Sequence, residues 1–363
     1  MSNKNKGKAL IVSNPYLPQL SGVPIVSQVM AMALMEVGWD VTVITELLLT
    51  GAEEEQACRH NLRVVRTKSS TALAIECRRA DVVIMNGGCS RKVGLSCLLS
   101  RAKLIAWHQM AGTETSVGKL SKLLHSVASG RVNLHVGASE TALKTRNPNG
   151  GGIVVYNPGR DCITKFAKER SETFTDRGID FLYVGRIDRS KGVELFLDSL
   201  EQLQKDGMSF RAEIIGGGPL QNIVESRCKE FQNRSVRYLG QLNGETLANK
   251  YASSKYLVVP TTSGHREGFP LVVAESLAFG TPIISANSPE LVEAVANCGE
   301  LFEMDSKEGL VELLRRSLEP YCWEKYSVRC QPRFKLSFAE QVFKKSIVDI
   351  MSSCVFSRNN ATI

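Results

Sequence analysis

The sequence lacks several features that would place it in a large class of proteins. No stretch reaches the roughly 18 apolar residues of a membrane-spanning helix, because the best candidate, residues 23–37, is interrupted by Pro24, Ser27, Gln28 and Glu36. The ten cysteines form no Cys-x-x-Cys pair and the first residues do not resemble a secretory signal. We therefore expect reduced thiols and a cytoplasmic protein.

Two missing sequence motifs limit the cofactors and partners that we expect. No Asp-x-Asp occurs in the chain, so a common carboxylate motif for a divalent metal is missing and we expect no metal cofactor. No aromatic-interleaved basic cluster and no known reader motif is present, so nucleic acid is not an expected partner.

Length and charge indicate two domains of different electrostatic character. A chain of 363 residues with 43% hydrophobic and 23% charged residues accommodates two cores of ordinary size. Residues 1–160 carry 19 Lys and Arg against 10 Asp and Glu, a net +9, whereas residues 161–363 carry 26 against 27, a net −1. The basic first half is compatible with an anionic partner such as a membrane surface or a phosphorylated lipid, and equally with a solvated basic surface.

Short apolar runs alternate with helical patterns along both halves, which predicts two doubly wound α/β domains. The run ALIVS after Lys8 opens the first series, and residues 180–184 open the second. In open parallel sheets, ligands bind beyond the carboxyl ends of the strands. Residues that directly follow a predicted strand are therefore the candidates for function, and His108, after the run LIAW, is one of them.

The stretch YLVVPTTSGHREGFPLVVAESLAFGTPIIS, residues 256–285, reads as strand, loop, helix and strand. Glu267 and Glu275 are eight residues apart, which places one at the predicted helix entrance at Gly268 and the other about two turns along. Carboxylates could bind the hydroxyls of a ligand lying across this helix start, while free backbone N–H groups bind its anionic groups.

A second candidate for anion binding is the turn GRIDRSKG, residues 185–192, which follows the strand at 180–184. Arg186 and Lys191 flank it near the start of the next predicted helix. Two cations and helix-end N–H groups suit a pyrophosphate, since each charge-assisted hydrogen bond is worth about 1.5–3 kcal/mol. The alternative is a pair of solvated basic residues on a loop.

These motifs resemble the donor site of the retaining glycosyltransferases of family GT4. The Glu-x7-Glu spacing in EGFPLVVAE and the pattern Gly-Arg-x4-Lys-Gly carry the resemblance, which is good from about residue 180 to 303 and thinner before that. It implies the GT-B architecture, two Rossmann-like doubly wound domains facing across a cleft. We place an N-terminal acceptor-binding domain at 1–160, a nucleotide-sugar-binding domain at 161–335, a helix crossing back at 336–351 and a tail at 352–363.

The resemblance also implies roles for individual residues. Glu267 would bind the hydroxyls of the donor sugar and Glu275 those of the ribose, while Arg186 and Lys191 would stabilise the leaving diphosphate and His108 would lie beside the transferred sugar. The catalytic set is thus His108, Glu267, Arg186 and Lys191, with no metal. The donor-binding set is Gly22, Arg186, Lys191, Gly217, Leu242, Glu267, Gly268, Phe269, Pro270, Leu271 and Glu275.

The implied function is a retaining, metal-independent glycosyltransferase that moves a sugar from a nucleotide-diphosphate sugar to a hydroxyl of a glycan, a lipid-linked or a small-molecule acceptor. Peripheral association with an anionic membrane through the basic first domain is a further hypothesis. Other possibilities are a GT-B epimerase or phosphorylase, or a binding protein that keeps the fold without activity. An acceptor requirement distinguishes transfer from epimerisation, and a phosphate requirement identifies phosphorolysis.

Overall fold

The computed structural model describes residues 6–17, 22–48, 62–87, 96, 100–109, 130–148, 150–169, 177–264 and 268–356, with side chains through Cys354. Contacts divide the chain into two compact units, one formed by Met1–Asn157 with Gln341–Ile363 and the other by Pro158–Glu340. None of the helices in the described residues has the length and apolar character needed to cross a membrane.

The first unit contains a parallel sheet whose described strands run in the order β3-β2-β1-β4-β5-β6-β7. The strands are β1 Lys8–Ser13, β2 Asp40–Thr45, β3 Arg63–Arg66, β4 Val82–Asn86, β5 Lys103–His108, β6 Leu134–Gly137 and β7 Ile153–Val154. The described helices are α1 Gly22–Glu36, α2 Ser70–Arg79, α3 Glu140–Arg146 and the C-terminal α12 Glu340–Phe356.

Helices α1 and α12 share one hydrophobic core with this sheet. Val26, Met30 and Leu34 recur at helical spacing on α1 and are fully buried. Phe343 and Ile347 of α12 join the same cluster, and the Phe343 ring lies edge-on to Trp107 with centroids 5.7 Å apart. The amphipathic pattern at the C-terminus is thus the apolar face of a helix that belongs to the first unit from Gln341 onward.

The second unit contains a parallel sheet in the order β10-β9-β8-β11-β12-β13. The strands are β8 Ile179–Val184, β9 Ala212–Ile215, β10 Val236–Tyr238, β11 Ser254–Val259, β12 Ile283–Ala286 and β13 Gly299–Phe302. The helices are α4 Asp161–Thr164, α5 Val193–Lys205, α6 Gln221–Glu230, α7 Gly244–Ala252, α8 Leu271–Ala278, α9 Pro289–Val295, α10 Lys307–Ser317 and α11 Pro320–Ser337. Short 3₁₀ turns occupy Lys165–Glu169, Arg189–Lys191 and Gln232–Arg234.

The strand order of the second sheet reverses at β8, which pairs with β9 on one side and with β11 on the other. Chain connections from β8 and β11 therefore leave the carboxyl edge next to each other and continue in opposite directions. Such a switch point is where open α/β sheets form a ligand crevice. Residues 185–192, 260–264 and 268–270 lie at this point in the second unit, and β1 with β4 forms the corresponding switch point in the first.

One helix boundary differs from the sequence-based expectation. The pattern at residues 268–278 predicts a helix from Gly268, but α8 begins at Leu271, and Pro270 at its N-cap has the extended dihedrals φ −73° and ψ 115°. Pro270 has no N–H and its ring fixes φ, so it suits a position that precedes a helix. As a result, the helix start lies one turn closer to Glu275 than expected.

Candidate functional site

The loop after β8 is organised by Asp188. Its Oδ1 accepts hydrogen bonds from the Lys191 backbone N at 3.1 Å and from Ser190 Oγ at 2.6 Å, which caps the 3₁₀ turn as an aspartate caps a helix. Its Oδ2 accepts a hydrogen bond from Arg186 Nε. Although partial burial acts to raise it, the hydrogen bonds from Ser190 and Arg186 hold the pKa of Asp188 below its usual value. The carboxylate thus fixes both the turn and one of the two predicted cations.

The loop after β11 lies directly on this turn. Thr262 N donates to Ser190 O at 3.1 Å. Gly192 adopts φ +70°, and a Cβ built there would lie 1.7 Å from Pro260 O. Only glycine permits both this dihedral angle and this approach. Loops 185–192 and 260–264 are therefore held together, as the switch-point topology requires.

The turn after β9 and the loop after β10 bring Gly217 and Leu242 to the same edge. Ile187 N donates to Gly217 O at 2.9 Å, which joins this turn to the β8 loop. The side chain of Gln241, in the loop before α7, lies over Gly217, where an added Cβ would be 2.2 Å from its Nε2. Leu242, in that loop, is half-buried.

The start of α8 follows β11 at the same carboxyl edge of the second sheet. Phe269 is buried, with its ring centroid 5.0 Å from that of Phe338, and Gly268 and Pro270 flank it. No side chain of the described residues caps α8, so the backbone N–H groups at Leu271 and beyond carry the partial positive charge of the helix start. Glu267 lies outside the described residues.

Glu275, the predicted ribose ligand, is fully buried, and both of its carboxylate oxygens accept hydrogen bonds. Arg160 donates from Nε to Oε1 and from Nη2 to Oε2 at 2.8 Å. Tyr251 Oη donates to Oε2 at 2.9 Å. Burial, and next the neighbouring Glu275 charge, raise the pKa of Tyr251 well above its usual value. Both carboxylate oxygens are therefore occupied by the protein itself, and the ribose role remains a prediction.

His108 ends β5 at the carboxyl edge of the first sheet, as expected, and a second histidine accompanies it. The Nε2 of His108 and the Nδ1 of His135, on β6, are 2.9 Å apart, and the rings stack with an interplanar angle of 14°. Burial lowers the pKa of His135. One ring must donate and the other accept in this hydrogen bond, so the pair cannot be doubly protonated without losing it.

Gly22 lies in the first unit as well, as the first residue of α1, and a Cβ there would meet nothing within 4 Å. The described residues thus give no steric reason for glycine at this position. Its proposed approach to a phosphate remains a prediction.

The structure brings most of the predicted second-unit residues to one edge and reveals partners that sequence reasoning missed. The missed residues are Arg160, Asp188, Tyr251 and His135. Asp188 had a local signal, because an aspartate three residues before the N–H it caps is a common helix-start pattern. The other three contact residues distant in sequence and had none.

Comparisons with known proteins show which sequences and folds this chain is similar to. Residues 165–330 match the family model described as glycosyl transferases group 1. A putative colanic acid biosynthesis glycosyltransferase, WcaL of Salmonella typhimurium, is 23% identical over 209 residues, which is 55% of this chain and 51% of that protein. The chain spans about half the length, or less, of the first curated relatives that it matches.

Two solved structures show the fold. Anabaena Alr3699/HepE, crystallised with UDP, gives a TM-score of 0.73 at 16% identity over 95% of this chain and 100% of that chain. A glycosyltransferase from Rickettsia africae gives 0.77 at 15% identity over 98% and 100%. The two doubly wound units define the GT-B fold. Residues 165–330 of this chain are thus similar to the group 1 glycosyltransferase family.

Proposed function

We propose that this protein is a retaining, metal-independent glycosyltransferase that moves a sugar from a nucleotide-diphosphate sugar to an acceptor hydroxyl, in glycan or glycolipid biosynthesis. The observation that carries the proposal is the switch point of the second sheet. Arg186 and Lys191 lie there on the loop that Gly192 brings against Pro260, and α8, which no side chain of the described residues caps, follows the neighbouring strand. The UDP complex of the structurally similar HepE supports a nucleotide donor.

The chemistry needs a group that stabilises the charge of a departing nucleotide diphosphate. Preorganised cations and N–H dipoles do this well, since they need no rearrangement as the charge develops. Arg186 is held by Asp188, although 62% of its side chain is exposed, so a diphosphate can reach its remaining N–H groups. We assign the diphosphate to Arg186, Lys191 and the N–H groups at Leu271, which would do the work that a divalent metal does in other enzymes.

The sugar is assigned to Glu267 and His108. Glu267 would accept hydrogen bonds from donor-sugar hydroxyls, and His108 would contact the transferred sugar. Neither residue is required as a covalent nucleophile. Attack by the acceptor from the face that the diphosphate leaves, with the departing phosphate accepting the acceptor's proton, would retain the anomeric configuration.

The decisive experiment compares variants of one loop. UDP-, GDP- and ADP-sugars are incubated with the full chain and candidate acceptors, and nucleotide release is followed with and without EDTA. Arg186→Ala and Lys191→Ala should each lower kcat/KM about 10- to 150-fold, the value of one charge-assisted hydrogen bond. Arg189→Ala is the matched control, because Arg189 lies in the same loop with 83% of its side chain exposed and its Nε 3.6 Å from Glu194.

Each part of the proposal has its own failing outcome. Equal losses of kcat/KM in all three variants would contradict the assignment of the diphosphate to Arg186 and Lys191. Activity that EDTA abolishes and Mg²⁺ restores would contradict metal independence. If NMR of the product shows that the anomeric configuration of the sugar is inverted, the enzyme does not use a retaining mechanism. Turnover without an acceptor would favour an epimerase, and a strict need for inorganic phosphate would favour a phosphorylase.

Membrane association is a separate part of the proposal. The net +9 of residues 1–160 suits an anionic surface, at roughly 1 kcal/mol per basic residue close to the lipid. The protein would then work at the cytoplasmic face of a membrane on a lipid-linked acceptor. Co-sedimentation with vesicles of anionic but not of neutral lipid is expected, and equal binding to both would contradict it.

A further inference from the structure

Helix α11 is apolar on two opposite faces. The buried side chains of its inner face are Trp323, Tyr326 and Cys330. They pack within the second unit, where the guanidinium carbon of Arg177 lies 5.1 Å from the centroid of the Trp323 ring. The outer face carries Tyr321, Val328 and Leu336, which are 78%, 70% and 77% exposed. Because a helix on a protein surface ordinarily has polar residues on this side, the outer face of α11 indicates a contact with another surface.

The three outer side chains form one row along the helix. They are the most exposed of the large apolar side chains in the described residues, since the next in order, Leu48, is 54% exposed. Along the chain each follows the previous one by about two turns of 3.6 residues, so all three lie on the same face. At about 1.5 Å per residue, the row from Tyr321 to Leu336 is about 22 Å long. Pro332 is exposed in the same row. The row is therefore an apolar strip and differs from the isolated apolar side chains that are common on protein surfaces.

Basic side chains flank this row. The exposed basic residues of α11 are Lys325, Arg329 and Lys335. None of them forms an ion pair within the described part of the chain. Lys325 Nζ donates instead to the uncharged Tyr326 Oη at 3.0 Å, and Arg329 Nη1 donates to the backbone oxygen of Asn297 at 3.4 Å. Glu324 is the only acidic residue in the sequence of α11. The outer face thus carries three cations against one carboxylate, and its positive charge is not neutralised by neighbouring residues.

An anionic lipid surface fits this combination. The apolar side chains of an interfacial helix enter the boundary between headgroups and acyl chains, while its cations contact the anionic headgroups. Tyrosine suits this boundary because its ring is apolar and its hydroxyl is polar. Lysine and arginine can keep their charges at the headgroups while their methylene groups cover the apolar row. A symmetric contact between two copies of this face would instead bring like charges together.

We propose that the outer face of α11 docks the second unit on a membrane surface that contains anionic lipids, with the helix axis parallel to the membrane plane. The row from Tyr321 to Leu336 enters the lipid boundary, and the three basic side chains contact the headgroups. This inference goes beyond the proposed function, because lipid binding at α11 needs no donor, acceptor or reaction. It also differs from attraction through the basic residues 1–160, which requires no apolar contact.

The test measures co-sedimentation of the full chain with two kinds of vesicle, one of phosphatidylcholine alone and one that also contains phosphatidylserine. The wild type should bind the anionic vesicles more tightly than the neutral ones. Tyr321→Gln/Val328→Gln/Leu336→Gln removes the apolar row and should weaken this binding at least about 10-fold, because the row then has no apolar area to bury. Lys325→Gln/Lys335→Gln should weaken it about 25-fold, at about fivefold for each basic residue close to the lipid.

Two matched controls each remove one exposed apolar and one exposed basic side chain elsewhere. Ile223→Gln/Lys229→Gln changes α6 of the second unit, where Lys229 is paired with Glu225, and it should alter vesicle binding less than about twofold. Ile75→Gln/Arg78→Gln changes α2 of the first unit and should weaken binding less than either α11 variant. The urea midpoints of the α11 variants should equal that of the wild type, because the replaced side chains are exposed. Equal midpoints show that the variants are folded.

Several results would overturn the proposal. They are a wild type that does not bind anionic vesicles or binds neutral ones equally well, unchanged binding in the apolar-row variant, and an equal loss in the α6 control. A larger loss in the α2 control would place the membrane contact in the first unit. If the wild type self-associates in analytical ultracentrifugation and the apolar-row variant is monomeric with unchanged vesicle binding, the face joins two copies of the chain and does not bind lipid. Because the vesicle assay contains no nucleotide sugar, its outcome is independent of whether the protein transfers a sugar.

Discussion

Replacing Gly192 by alanine tests whether the two switch-point loops depend on a single close approach. Gly192 has φ +70°, and an added Cβ would lie 1.7 Å from Pro260 O, where real contacts stay above 3.0 Å. The carbonyl would therefore have to move by about 1.3 Å, the difference between these two distances. Gly207, after α5, is the matched control, because its φ is +75° and a Cβ there meets nothing within 4 Å.

The magnitudes follow from these two contributions. A left-handed alanine costs about 1–2 kcal/mol at either position. Overpacking at Gly192 adds about 1–3 kcal/mol. We therefore expect a loss of unfolding free energy of about 1–2 kcal/mol for Gly207→Ala and about 2–5 kcal/mol for Gly192→Ala. In a unit of this size, 1 kcal/mol corresponds to about 2–4 °C in Tm.

The assay isolates the second unit by its single tryptophan. Trp39 and Trp107 lie in the core of the first unit and Trp323 is buried in the second, so a Trp39→Phe/Trp107→Phe background leaves a fluorophore that reports on the second unit. Urea unfolding is followed by its fluorescence, and UDP affinity is measured in the same variants. Equal destabilisation by the two alanines would refute the reasoning, as would unchanged UDP affinity in Gly192→Ala if UDP binds at these loops.

Three further variants test individual contacts. Asp188→Asn keeps the cap but removes a charge. The pKa of Asp188 in the folded protein lies below 3.8. The stabilisation that the carboxylate contributes is therefore present above the pKa of the unfolded state and is lost as the pH falls through the pKa of the folded state. At pH 7 the variant should be less stable than the wild type by about 0.5–1 kcal/mol and have a lower Tm. This difference in Tm should disappear only below pH 3.8, and a difference that does not change with pH would contradict the reasoning. His135→Phe should change the imidazole ¹⁵N signals of His108. It should also lower turnover about 2- to 10-fold without changing UDP affinity. Unchanged ¹⁵N signals would refute the hydrogen bond between the two histidines. Tyr251→Phe should destabilise the second unit by about 1.5–3 kcal/mol in urea, the value of a hydrogen bond to a charged group such as Glu275, and a loss under about 0.5 kcal/mol would argue against that bond.

The alternation of strands and helices was predictable because its signals are local. Apolar runs such as residues 9–12 and 257–259 become buried strands, and the periodic apolar positions of α5 become its buried face. Arg186 and Lys191 follow β8 in the chain, so their place at its carboxyl edge required only the strand to be recognised. The start of α8 could not be predicted from apolar periodicity, which continues back to residue 268. Pro270 ends the helix there, because it suits a position that precedes a helix.

The partners of the candidate residues could not be predicted, because they come from distant parts of the chain. Arg160 and Glu275 are 115 residues apart, and His108 and His135 are 27 apart. Nothing in either local pattern specifies which side chain faces which once helices and strands are assembled. Whether a carboxylate is open to a ligand or already paired is decided at that level.

The sequence by itself determined two βα series, the turns that follow their strands and the kinds of side chain that those turns carry, since periodicity, caps and glycines act over a few residues. Tertiary structure alone decided that loops 185–192 and 260–264 meet at a reversal of strand order, and that the carboxylate of Glu275 holds an arginine. Strand order and helix packing set these contacts, and both depend on interactions between residues far apart in the chain.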